Sequence, residues 1–206
     1  MATGARTPRR GAPLTTGPQQ LTTMAPFFRE ATVNRETADA LLDALTRAQL
    51  AWTPGADRWG LAHVCAHLAR TTEVYLPALD TTIERAHAAA AYSDAPLRGS
   101  LLGRLLVWSM EPPPRFRMRA PAMLRPAPDV PPDTARAAYR AAQQAFRIRL
   151  ERAAGLDLTH VRMRLPTIRA LTLPLGTVFA MLLAHERRHL WQATALLQSR
   201  EFPIGG

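Results

Sequence analysis

The sequence predicts an all-α protein, a four-helix bundle with one extra short helix and a long proline-rich crossover between helices. Apolar residues recur at helical spacing in several segments, as at Leu41, Leu42 and Leu45. No series of strand-like alternations and no internal repeat accompanies them. We therefore expect one helical domain over residues 25–206. The basic tail before it, residues 1–24, has few large apolar groups and is expected to be disordered.

The first three predicted helices are separated by residues that favour turns. Asn34 is expected to cap the first helix, and the turn at 52–57 follows it. The second helix is expected over 59–90, with a kink or break at Pro77 because proline cannot donate a backbone hydrogen bond. A short apolar helix over 101–108 stops before three consecutive prolines.

The second half of the chain begins with the crossover, residues 111–132. A connection of this length is more often functional, or packed over a site, than idle. The next helix is expected over 133–154, and the connection 156–171 can contain a short extended piece. Thr172 is expected to cap the last helix, with Pro174 in its first turn.

The charge of the chain does not point to nucleic acid. The formal net charge is +10, and all 26 basic residues are arginines. These arginines are dispersed, no nucleic-acid motif is present, and the absence of lysine is typical of GC-rich coding bias. We therefore expect a small-molecule substrate and no specific nucleic-acid partner.

Cysteine content and hydropathy indicate the compartment. The single cysteine, Cys65, cannot form an internal disulfide, which fits a reducing cytoplasm. The N-terminal region lacks the continuous apolar segment of a signal peptide. The longest apolar stretch, residues 170–184, is interrupted and falls short of the ~20 residues of a membrane span. The expectation is a cytoplasmic protein that does not enter a membrane, with a homodimer as one oligomeric state.

Four of the six histidines form two pairs. His185 and His189 are four residues apart near the end of an apolar segment, and His63 and His67 have the same spacing on another predicted helix. Residues four apart lie on one face of a helix, so each pair can chelate one metal ion. Two such pairs suggest a metal site within the bundle, although a histidine-bearing helix surface is the alternative. Imidazole ligands suit Zn, Ni, Fe or Cu; we expect a divalent ion, Zn or Ni first and Fe as an alternative.

Two polar residues next to the second pair are candidates for supporting roles. His185, Glu186 and His189 match the H-E-x-x-H pattern of zinc proteases. No histidine follows His189 to complete such a site, so a protease is disfavoured. Glu186 remains a candidate base, with an exposed partner of a nearby arginine as the alternative. Gln192 lies one turn beyond His189 and can hydrogen-bond a ligand or a bound water, unless it is simply solvated.

The remaining distinctive residues are given structural roles. Cys65 is predicted to be a small core residue, and the pair Arg187–Arg188 a solvated face from which one arginine can reach an anionic substrate. Two histidines are expected at the surface and three tryptophans in the core: His87, His160, Trp52, Trp59 and Trp108.

Several segments, taken in order, resemble the DinB/YfiT-like superfamily. Trp52-Thr53-Pro54 followed by residues 58–68, with His67-Leu68 near their end, is similar to the start of its second helix. Residues 184–192 resemble the His-x-x-x-His-x-x-Gln motif of its last helix, and residues 120–126 and 171–176 also fit. The likeness covers roughly residues 34–198.

The resemblance implies a four-helix bundle with a divalent metal held by three histidines, which here are His67, His185 and His189. It also implies chemistry with bacterial low-molecular-weight thiols as cosubstrates, because the characterised members include thiol-dependent S-transferases and isomerases. Two positions depart from the family pattern. Gly60 stands where serine is frequent. His63 stands where glutamate or glutamine is frequent, which leaves it as a fourth ligand, a group that supports a ligand without binding the metal, or a proton acceptor.

These observations support two hypotheses about function. In the first, the protein is a metal-dependent enzyme of thiol S-transferase or hydrolase type, in which the metal lowers the pKa of a bound water or thiol. In the second, it is a non-catalytic metal-binding bundle that acts through partners. A metal site with four ligands favours the second hypothesis, because a closed site leaves no position for substrate.

Overall fold

Four long helices form most of the structure, a computed structural model that describes residues 18–203 apart from 56–57, 98 and 116–118, with side chains from residue 23 onward. The long helices are α1 (Pro18–Leu42), α3 (Leu61–Ala88), α5 (Pro132–Arg152) and α6 (Leu175–Leu197). Two short helices are α2 (Arg47–Ala51) and α4 (Leu101–Met110). A two-stranded antiparallel ribbon joins β1 (Arg162–Arg164) to β2 (Thr172–Pro174). The all-α prediction is confirmed.

The long helices pack in two main pairs, α3 with α5 and α1 with α6, and α3 also contacts α6. Their apolar faces form two clusters, one around Leu79 and Phe179 and the other around Leu61 and Leu190. Asp80 joins helices α3 and α5 at the surface. It forms hydrogen-bonded ion pairs with Arg149 and Arg152, which lie at the C-terminal end of α5. These arginines hold the pKa of the Asp80 carboxyl below its usual value. Because α3 and α6 meet directly, side chains from both can reach one site.

The first helix differs from its prediction at both ends. It begins at Pro18, so the last residues of the predicted tail are helical, whereas residues 1–17 lie outside the described residues. Asn34 does not cap it but lies buried within it, only 1 % exposed. The chain then turns at residues 43–46 and forms α2, whose start is capped by the Thr46 side chain. The cap preference of asparagine is overridden because Asn34 finds its hydrogen-bond partners on α6.

Two further details of the helix limits differ from the prediction. Of the kink or break expected at Pro77, the break is absent, because α3 continues to Ala88. Pro77 and Glu73, whose carbonyl group loses its helical partner, are both exposed, so water can satisfy that carbonyl. Thr172 does not cap the last helix, because its backbone pairs with Arg164 in the ribbon. Pro174 occupies the position just before α6.

The connections between helices agree more closely with the sequence. The expected extended piece after α5 is strand β1. The crossover, residues 111–132, has one turn of 3₁₀ helix at Ala122–Leu124 as its regular structure among the described residues. In the described part of the chain, no helix is long and apolar enough to cross a membrane.

Helix α4 carries an apolar face that no described element covers. Leu101, Leu102 and Leu105 are each more than half exposed. Trp108, predicted to lie in the core, is also exposed, and the Arg115 guanidinium lies 4.2 Å from the centre of its ring. Faces of this kind are typical of contact surfaces. The homodimer stays a prediction.

Candidate metal centre

His67 reaches the interior from the first turns of α3. The helix begins after Gly60, and a Cβ atom at that position would lie 2.0 Å from the carbonyl oxygen of Trp52. Only glycine therefore fits where the resemblance favours serine. His67 follows two turns later and is 2 % exposed. Its Nδ1 lies 2.8 Å from the carbonyl oxygen of Leu124 in the crossover.

The pair on α6 faces His67. Nε2 of His185 lies 3.1 Å from Nε2 of His189 and 3.3 Å from Nε2 of His67. All three ligand atoms lie within 4.8 Å of one another. Two nitrogens bound to one metal at about 2.0–2.1 Å, with angles between a right angle and the tetrahedral value, are about 2.9–3.4 Å apart. The observed separations from His185 fall within that range.

The protonation of the three rings suits metal binding. Nδ1 of His67 donates its proton to the Leu124 carbonyl, so Nε2 carries the free lone pair of the neutral ring. Burial lowers the pKa of His67, lowers that of His185 to about 3 and lowers that of His189 well below its usual value. Neutral imidazoles are the form that binds a metal. The cluster thus presents neutral rings at neutral pH, and none has to lose a positive charge before a metal binds.

The outer surroundings of the rings come from several elements. The Trp59 ring lies 4.9 Å from the His67 ring and 6.5 Å from the His189 ring, centre to centre. Nδ1 of His189 is buried and makes no hydrogen bond of full geometry with the described part of the chain. The Gln192 side chain interacts with this ring and only partly offsets the fall in the pKa of His189. Gln192 is thus beside a predicted ligand, as expected for a supporting residue.

His63 lies apart from the cluster that the three histidines form. Its Nδ1 accepts a hydrogen bond from the backbone N–H of Gly60, 3.4 Å away, at the start of α3. Its Nε2 lies 3.0 Å from the carbonyl oxygen of Pro128 in the crossover. Both ring nitrogens therefore contact the backbone. The side chain fastens the crossover to the end of the helix that carries His67.

From these contacts we predict that His63→Ala retains most of the metal affinity, with a loss below about 10-fold, because an outer contact that acts through the backbone costs less than a lost ligand. Competition titration of the purified variant against a chelator measures the affinity. The comparison is His185→Ala. A structure with a His63 nitrogen at about 2.0–2.1 Å from the metal would contradict the prediction.

Glu186 is not the exposed ion-pair partner that one interpretation of the sequence expected. Oε1 accepts hydrogen bonds from Tyr139 Oη at 2.6 Å and Gln143 Nε2 at 2.8 Å. Oε2 accepts from Asn34 Nδ2 at 2.8 Å, and the same nitrogen donates to the Leu183 carbonyl oxygen at 3.1 Å. Burial raises the pKa of this carboxyl, and the three donors oppose the rise. Glu186 ties α6 to α1 and α5, and its role as a base remains a prediction.

The Arg187–Arg188 pair also departs from the expected solvated face. Arg188 is 6 % exposed, and its guanidinium donates to the carbonyl oxygen of Ser109. Arg187 forms ion pairs with Glu30 of α1 and Glu111 of the crossover. Both arginines therefore hold neighbouring segments against α6.

The other structural assignments are mostly confirmed. Cys65 is buried in the core, and burial raises the pKa of its thiol to about 12. His87 and His160 are exposed. Trp52 packs edge-on against Phe202, whereas Trp59 contacts the histidine cluster.

Some residues around the cluster escaped the sequence reasoning. Leu124 acts through its backbone, which carries no signal in its residue type, and Asn34 resembled a cap. Tyr139 and Gln143 share one helix face at a spacing of four, a pattern that surface residues also show. The one sequence signal for Tyr139 and Gln143 was that these polar residues lie close to the apolar face of α5.

Comparison with known proteins identifies one relationship. The profile of the DinB superfamily matches residues 30–193, well over half of the chain. No curated protein and no solved structure matches. The matched range contains all three histidines of the cluster.

Proposed function

Since this chain belongs to the DinB superfamily, we propose that it is a metal-dependent enzyme acting on a small molecule, by thiol transfer or hydrolysis. One observation carries the proposal. Nε2 of His185, on α6, lies 3.1 Å from Nε2 of His189 on the same helix and 3.3 Å from Nε2 of His67 on α3. Three histidine ligands are a frequent catalytic arrangement, because they leave a coordination position for water or substrate.

The residues present fit a divalent ion of the Zn or Ni class. Nitrogen donors suit these ions. Ca²⁺ and Mg²⁺ instead prefer oxygen ligands such as carboxylates, and no carboxylate joins the cluster among the described residues. Such an ion would supply Lewis acidity toward a small molecule, which both candidate reactions need. A low-molecular-weight thiol is the proposed cosubstrate, and the single buried cysteine fits the reducing cytoplasm that we propose as its location.

The chain's own residues would bind, orient and exclude water. The Leu124 carbonyl holds the His67 ring in one tautomer, so its Nε2 needs no reorientation. The Trp59 ring covers two of the three imidazoles and supplies an apolar, aromatic contact next to the cluster. The crossover, fastened through His63 at Pro128, is the segment we propose to form part of the roof over bound substrate.

The proposal predicts turnover that depends on the cluster. Metal-loaded protein, assayed with bacterial thiols and electrophilic acceptors, should give rates that increase with pH as the nucleophile loses its proton. His67→Ala should lower the rate at least about 100-fold, because it removes a ligand. The matched control is His160→Ala, which removes an exposed histidine.

Equal rates in the wild type and His67→Ala would show that the metal does not carry the reaction. Metal that binds stoichiometrically but offers no exchangeable position would favour the second hypothesis, a non-catalytic bundle. The relaxation rate of solvent protons in the Co²⁺ or Ni²⁺ protein measures water exchange at the ion and so distinguishes the enzyme from the non-catalytic bundle.

A further inference from the structure

The hydroxyl of Thr71, one turn beyond His67, has no hydrogen-bond partner among the residues that the structure describes. Thr71 is 5 % exposed. Elsewhere in the helices, Thr37, Thr81 and Thr194 donate to the carbonyl four residues before them. That bond is the usual solution for a helical threonine. The Thr71 hydroxyl is therefore available to a group outside its own helix.

A small cavity is lined in part by Thr71. Its volume is about 20 Å³, and its walls include Thr71, His185, Glu186, Tyr139 and Gln143. A cavity holds one water molecule when it offers at least about 10–15 Å³ and two to four polar partners. The volume meets the first condition, and four lining residues besides Thr71 carry polar atoms that can serve the second: His185, Glu186, Tyr139 and Gln143.

Of the three histidines, His67 makes a full hydrogen bond through its second ring nitrogen, because Nδ1 donates to the Leu124 carbonyl. Nδ1 of His189 is buried without such a bond to the described residues, although the Gln192 side chain interacts with the ring. The hydrogen bonds and ring contacts of His185 with described residues involve its Nε2 and its ring face, and none involves Nδ1. A metal-bound histidine almost always donates its other ring N–H to a partner.

We propose that the cavity holds one water molecule, which accepts a proton from Nδ1 of His185 and is held by the hydroxyl of Thr71. Thr71 is then a positioning residue, which acts on the metal through the water and the His185 ring. The inference rests on the proposed function, since it assigns a role only to a histidine that binds metal. In this proposal a side chain of α3, Thr71, supports the metal ligand His185 of α6 through the water molecule.

Two substitutions test the role of the hydroxyl. Thr71→Val removes the hydroxyl at nearly constant shape, and the affinity for Zn²⁺ should fall by about 10–100-fold. Thr71→Ser keeps the hydroxyl, so its affinity should stay within about 3-fold of the wild type, a smaller change than the roughly 10–100-fold loss expected for Thr71→Val. The matched control is Thr82→Val, which removes a buried hydroxyl further along the same helix. Chelator competition gives the affinities, and thermal unfolding of the metal-free proteins shows whether Thr71→Val folds as the wild type does.

The outcomes separate this inference from the proposed function. No Zn²⁺ uptake by the wild type would overturn both. Uptake by the wild type with equal affinity in Thr71→Val, or a Thr71→Ser variant as weak as Thr71→Val, would overturn the role of Thr71 alone. A crystal structure of the Zn²⁺ protein should show a water within hydrogen-bonding distance of both Thr71 Oγ1 and His185 Nδ1, and direct contact of another group with that nitrogen would overturn the inference.

Discussion

Wild-type protein reconstituted with Zn²⁺ or Ni²⁺ is expected to contain close to one ion per chain, and His185→Ala or His189→Ala very little. Each variant removes one of three nitrogens that converge within 4.8 Å. A structural zinc site with four ligands is worth about 10–16 kcal/mol, so one ligand contributes about 3 kcal/mol. The loss of that contribution weakens binding at least about 100-fold. Elemental analysis after gel filtration measures the metal content.

A second readout follows from the position of Trp59. Its ring lies 4.9 Å from the ring of His67, so binding of Ni²⁺ or Co²⁺ should quench its fluorescence. Trp59→Phe should lose most of the quenching while retaining the metal. His87→Ala, which removes an exposed histidine, is the matched control and should bind like the wild type. Unchanged uptake in both α6 variants would rule out the site.

The largest effect on stability is expected from Glu186→Ala. This substitution removes the carboxylate that accepts from Asn34, Tyr139 and Gln143. Asn34 keeps the Leu183 carbonyl and Gln143 keeps the Tyr139 hydroxyl as acceptors, whereas the Tyr139 hydroxyl loses its acceptor. An unsatisfied buried group costs about 1–3 kcal/mol, and each lost hydrogen bond to a charged group costs about 1.5–3 kcal/mol. The expected loss is therefore about 3–5 kcal/mol, against a total stability of about 5–15 kcal/mol for a domain.

Urea unfolding in the presence of a chelator measures this loss without a contribution from metal. Glu151→Ala is the control, because Glu151 forms an exposed ion pair with Arg147, one turn earlier on α5. Such pairs contribute about 0.3–0.5 kcal/mol. Tyr139→Phe, which removes one of the three donors, should fall between the two variants. If Glu186→Ala and Glu151→Ala unfolded at the same urea concentration, the network would contribute nothing to stability.

The sequence predicted what depends on local spacing. His185 and His189 share a face because they are four apart on one helix, and this holds in any fold that keeps the helix. The helix class and the approximate limits of α3, α5 and α6 follow from apolar residues that recur with the helical period. The crossover was recognisable from its prolines. The family resemblance also rests on short local motifs in these segments, so the sequence alone sufficed to indicate it.

The tertiary structure decided what depends on how separate segments meet. Spacing alone treats His63 and His67 alike, but only His67 approaches α6, and His63 contacts the crossover. Asn34 has the residue type of a cap but pairs across the bundle with Glu186, 152 positions away in the chain. The partner of His67 is a backbone carbonyl, which every residue type carries. Helical period fixes the face of a side chain relative to its own helix, whereas the partner it meets depends on the relative placement of helices, which long-range packing sets.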